Sequence, residues 1–230
     1  MKTNTLLYLK NCLLGSLFLT TSVLAYPSVN ASSDKLKKIE LDLYGKRLSI
    51  DVPKQESKEF PQFPLIDFVD SNTEPALQET TGYQIVNKYW EFKKIMHPGS
   101  VGAMQMRVAV FALANPELEI AKADDLREII TQNAIRFYDA SNKEKLEKGR
   151  PLLRVDLPQN FSIKHLGNLN WLEYGFENES GIAIYAIPLD KKHYIKIYFT
   201  YVNNSRGNLV EIKGLAENEI MEIMRSSTIK

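Results

Sequence analysis

Apolar side chains recur at every second position in stretch after stretch of this chain, and that period limits its fold more than any other feature. The clearest case is 193–202. There Ile195, Ile197, Phe199 and Tyr201 point one way, and Tyr194, Lys196, Tyr198 and Thr200 point the other. Ile39, Leu41 and Leu43 alternate with polar neighbours, and after Gly45-Lys46 the alternation resumes with Leu48, Ile50 and Val52. This predicts a β-hairpin with one inward face, ended by Pro53. Tyr83–Phe92 predicts another strand, with Val86, Trp90 and Phe92 on one face and Tyr83, Ile85 and Tyr89 on the other. Met104–Leu113 is apolar on both faces toward its end, which predicts a strand covered on both sides. Four further strands are expected over 152–157, 170–176, 182–187 and 193–202.

Two segments carry the helical period instead. Leu126, Ile129, Ile130, Ala134 and Phe137 predict an amphipathic helix over about 123–140 with Asp124 as its N-cap. The charged stretch Asn142–Gly149 reads as solvated loop. Ile220, Ile223 and Met224 mark a second helix over 215–226. The fold class expected is therefore α+β: a mostly antiparallel central sheet with amphipathic helices packed on it, an α/β/α sandwich. Between the hairpin and the next strand, Pro53, Pro61, Pro64, Pro75 and Gly82 leave no room for a helix. Phe60, Phe63, Leu65, Ile66 and Phe68 make this long loop unusually apolar.

The N-terminus has the three parts of a secretory signal. Lys2 and Lys10 are positive with no acid among them, Leu13–Leu24 is an apolar run, and Val23-Leu24-Ala25 offers a cleavage site. The run of 12 residues is shorter than the roughly 20 needed to span a bilayer. Cleavage is expected after Ala25, giving a signal peptide at 1–25, a flexible lead-in at 26–38 and a single domain at 39–230 in the periplasm. Cys12, the only cysteine, falls within the signal at the start of its apolar run rather than at its end, so lipidation is not expected. The mature chain is thus expected to lack thiols, and with them disulfides and thiolate metal sites. Removing the signal takes two lysines, leaving 27 basic residues against 28 acidic ones. That balance argues against nucleic acid as a partner. No mature segment is long and apolar enough to span a membrane.

The hairpin closing on Ile50-Asp51-Val52-Pro53, the strand-to-helix passage from Met104 to Phe137, and the ending from His193 through a helix to Ser226-Ser227-Thr228-Ile229 form one ordered pattern. In that order the chain resembles the PsbP-like superfamily, which includes exported bacterial proteins of the DcrB type. The resemblance implies an α/β/α sandwich and a periplasmic setting, and transfers no catalytic residue.

The chemistry-bearing residues are sparse. His97, His165 and His193 lack metal-ligand spacing. Ser100 in His-Pro-Gly-Ser-Val-Gly has proline where a nucleophile elbow needs its first glycine. No cofactor or metal is expected. What remains is aromatic: Phe60, Phe63 and Phe68 in the long loop, and Tyr194 and Tyr198 on one face of the last strand. Such side chains suit recognition, unless a helix covers the tyrosines as core. The function expected is non-enzymatic binding of a partner protein or envelope component, with neutralisation of a periplasmic toxin as one form. The alternatives are a hydrolase assembled from scattered residues such as His97, Ser100 and Glu173, and a carrier of a small apolar ligand.

Overall fold

The computed structural model describes residues 36–58, 63–70, 82–93, 100–113, 115, 117–177, 181–203 and 209–230. The signal segment 1–25, most of the lead-in, Phe60 and His97 lie outside the described residues.

The elements are β1 (Leu36–Leu43), β2 (Lys46–Pro53), β3 (Phe68–Val69), β4 (Tyr83–Lys93), β5 (Ser100–Ala112), α1 (Leu126–Glu147), β6 (Gln159–Leu166), β7 (Leu169–Gly175), β8 (Ile182–Pro188), β9 (His193–Asn203), α2 (Leu209–Ser226) and β10 (Thr228–Ile229). Six strands form an antiparallel sheet in the order β4-β5-β9-β8-β7-β6, and four form a smaller sheet, β10-β2-β1-β3. The two-residue turn of the hairpin puts Tyr44 at φ 54° and Gly45 at φ 74°. Two successive left-handed residues are what a type I′ hairpin requires. β1 begins at Leu36, paired with Pro53, so pairing reaches three residues into the expected lead-in.

The large sheet separates two cores. On one face, Ala109, Phe111, Leu172, Tyr174, Ile184, Ala186 and Tyr194 pack with Leu126, Ile129 and Ile130 of α1. On the other, Met104, Met106, Val108, Ile195, Ile197 and Phe199 pack with the hairpin and with Ala216, Ile220, Ile223 and Met224 of α2. The chain is therefore α+β, its two helices on opposite faces of an antiparallel sheet. The four-stranded sheet shares the α2 face, which period-two patterning alone does not place.

Several expectations need correction. Residues 152–157 form no strand. The Leu153 amide donates to Asn142 Oδ1 at 2.7 Å, and its carbonyl accepts from Asn142 Nδ2 at 3.2 Å, so α1 rather than the sheet satisfies this backbone. β6 takes the fourth place instead and carries His165. α1 continues to Glu147 through the stretch read as loop, because its Lys and Glu residues are good helix formers and Glu144 pairs with Lys148. Asp124 does not cap α1. A 3-10 turn, Ala123–Asp125, precedes the helix. In it Asp125 accepts the Ala121 and Lys122 amides at 2.9 and 3.0 Å, while Asp124 binds Arg127. α2 starts at Leu209, six residues earlier than the apolar period suggests.

In β4 the register skips between Gln84 and Val86. This bulge turns Tyr83 to the α2 core along with Ile85 and Val86, so Tyr83 and Tyr89 do not share a face.

Candidate functional site

The segment 63–69 is fastened to both sheets. Ile66 N–H donates to the Ile85 carbonyl at 3.0 Å, Asp42 N–H to the Asp67 carbonyl at 2.6 Å, and Tyr44 N–H to the Val69 carbonyl at 2.8 Å. Val69 is fully buried, and Ile66 is half-buried against the core. Phe63, Leu65 and Phe68 nevertheless remain 41%, 40% and 49% exposed. Burying such a side chain fully stabilises a fold by about 1.5–3 kcal/mol, and here that gain is left partly untaken. The backbone is held, so a partner meeting these side chains loses little entropy in ordering them.

The face of β9 toward α1 divides in two. Tyr194 is completely buried, its ring stacked on Phe111 at 5.1 Å and its hydroxyl accepting from Asn133 Nδ2 at 3.1 Å. α1 covers it, and it belongs to the core. Tyr198 is half-buried, with the Arg107 guanidinium 5.3 Å over its ring. Burial pushes its hydroxyl well above the usual range, so it stays protonated. Between them Lys196 is 7% exposed, flanked across the sheet by Ala109 and Ala186. Its ammonium lies 4.3 Å over Phe111 and 5.6 Å over Tyr194. Burial pulls it down to about 7.

Sequence reading passed over the polar tract beside these residues. By register, Asn87, Arg107 and Tyr198 form one row across β4, β5 and β9, and Tyr89, Gln105 and Thr200 form the next. Thr200 Oγ1 donates to Gln105 Oε1 at 3.2 Å, and Gln105 Nε2 donates to Asn87 Oδ1 at 2.8 Å and Tyr89 Oη at 2.6 Å. The alternation of β5 puts Gln105 and Arg107 opposite Met104 and Met106. That was the available signal.

Of the scattered hydrolase residues, the two that are described, Ser100 and Glu173, do not converge. Glu173 accepts hydroxyls from Ser162 at 3.1 Å and Tyr185 at 2.9 Å. Register carries Glu173 through Tyr185 and Ile197 to Val108. Ser100 is eight residues along β5 from there, about 26 Å at about 3.3 Å per residue. Ser100 donates its hydroxyl to the Gly102 carbonyl. His165 is exposed, 3.0 Å from Asn170 Oδ1. His193 stacks on Tyr44 at 3.9 Å and places Nδ1 2.9 Å from Asp190. Burial pushes the Asp190 carboxyl up, but hydrogen bonds from the His193 ring and from the Lys192 and His193 amides outweigh it and hold it low. This arrangement orders the turn into β9. Among the described residues, no three His, Cys, Asp or Glu side chains are placed to hold a metal.

Two clefts, about 50 Å³ beside α1 and about 110 Å³ on the outer face of the small sheet, are well below the roughly 300 Å³ of a small-molecule site. No described helix is long and apolar enough to cross a membrane. No family model, curated protein or solved structure matches this chain.

Proposed function

We propose that the protein is exported to the periplasm and acts there as a non-enzymatic binding protein, docking on a partner protein or envelope component through the segment Phe63–Phe68. The observation that carries this reading is the anchored backbone of that segment with Phe63, Leu65 and Phe68 left two-fifths to one-half exposed. Aromatic anchors of this kind dominate binding energy at protein interfaces. Neutralisation of a toxin delivered into the periplasm is one form such binding takes. The layered α+β architecture is compatible with the proposed kinship to the PsbP-like superfamily, which bears on compartment and fold rather than on the partner.

The test is capture from envelope extracts with the mature protein as bait, followed by mass-spectrometric identification. A Phe63→Ala/Phe68→Ala double variant that melts like the wild type should lose the captured partner. Retention of the same partner by that variant would exclude this segment as the docking site.

A further inference from the structure

The row Asn87–Arg107–Tyr198 has donors in excess. Arg107 makes no hydrogen bond or ion pair with any described residue, and its Nε is buried without an acceptor. The Tyr198 hydroxyl has no hydrogen-bond partner among the described residues either. Asn87 is 7% exposed, and its Oδ1 is taken by Gln105, whose own Oε1 is taken by Thr200. The relay Thr200 to Gln105 to Asn87 fixes the amide so that only its NH₂ remains to be used. On this face of β4, β5, β9 and β8 the acid nearest by register is Glu91, two rows away and already bound by Ser57. Lys196, two residues back along β9, directs its ammonium away from this row, over Phe111 and Tyr194.

An arginine tucked into a sheet face is ordinarily paired, because an unpaired buried charged donor is costly. The Tyr198 ring takes one face of the guanidinium and leaves its donor edge unused. We infer that the Asn87–Arg107–Tyr198 row is a binding site for a small oxyanion, a carboxylate or phosphate group, received on the Arg107 edge with the Asn87 amide and Tyr198 hydroxyl as flanking donors. Adjacent strands are about 4.8 Å apart, so the three side chains stand side by side on one face with Arg107 in the middle. This site is independent of the docking segment.

Thermal unfolding of the mature protein in inorganic phosphate and, separately, in succinate, each against chloride at matched ionic strength, tests it. Phosphate raises Tm for any protein in a gradual, unsaturating way through exclusion from the surface. A site adds a saturable component that follows ligand occupancy. The saturable component is expected in wild type and should weaken by about tenfold or more in Arg107→Met. Arg107→Lys should fall between the two, since an ammonium lacks the planar fork. Calorimetric titration of the same variants gives the affinity directly, with unchanged circular dichroism confirming that each is folded. Saturation by phosphate alone assigns a phosphate group, and saturation by succinate alone assigns a carboxylate. No saturable response to either anion, or equal responses in wild type and Arg107→Met, would overturn the site.

Discussion

Lys196 places its ammonium in a layer otherwise made of Phe111, Tyr194 and alanine, and burial brings it down to about 7. The unfolded chain holds the same proton up to about 10.4. Between these limits the unfolded state binds a proton that the folded state has released, so the Lys196 contribution to stability rises with pH from about 7 upward and is flat below. For one proton the slope approaches about 1.4 kcal/mol per pH unit between these limits. Lys196→Met should be more stable than wild type at pH 7 and should lose the slope between pH 7 and 9. Urea unfolding at several pH values measures both, and an unchanged slope in the variant would refute the assignment. The alternation of β9 put Lys196 beside Tyr194 and Tyr198 from sequence alone. Its burial was not legible, because the alanines that flank it and the helix that covers it come from other elements. The same holds for Arg107, whose neighbours Asn87 and Tyr198 are brought to it only by register.

The elements most legible in sequence were those with one clean period, such as the hairpin β1–β2 and the strand β9. The misread ones had their period broken or their backbone claimed elsewhere. A single extra residue at Ile85 reverses the face of Tyr83, and nothing in the side-chain pattern announces it. β6 is an edge strand with Asn160 at φ 57° and most side chains partly exposed, so its alternation is faint. Residues 152–157 look strand-like, yet their polar groups are claimed away from the sheet: Asn142 binds both backbone groups of Leu153, and Asp156 accepts the Glu177 amide. Asn142→Ala should therefore release this strap without unfolding the sheet. The lost pair of hydrogen bonds is expected to lower global stability by about 1–2 kcal/mol or less. Hydrogen exchange should show faster exchange at Leu153 and in the last turns of α1, with β5 and β9 still protected. Uniform loss of protection across the molecule would mean that the strap is part of the global fold.

At the scale of the whole molecule, α2 and the small sheet share one face of the large sheet, and 63–69 is one of the threads joining the two sheets. Its fastening bonds come from Asp42 and Tyr44 on one side and Ile85 on the other. The composition of this stretch was legible as unusually apolar, but composition does not say which side chains turn inward. The structure divides neighbours: Val69 is fully buried while Phe68 is half exposed. Their substitutions should have opposite consequences. Val69→Ala removes two buried methyl groups at a junction of two sheets and should destabilise by about 2 kcal/mol, the transfer loss plus a small cavity. Phe68→Ala removes a larger side chain that is already half in water, and should change stability by less than about 1 kcal/mol. Chemical denaturation of the two variants decides between a packing role and a recognition role for this thread. If Phe68→Ala proves as destabilising as Val69→Ala or more so, the ring is holding the sheets together. Its exposure would then be the rim of a core contact rather than a surface offered to a partner.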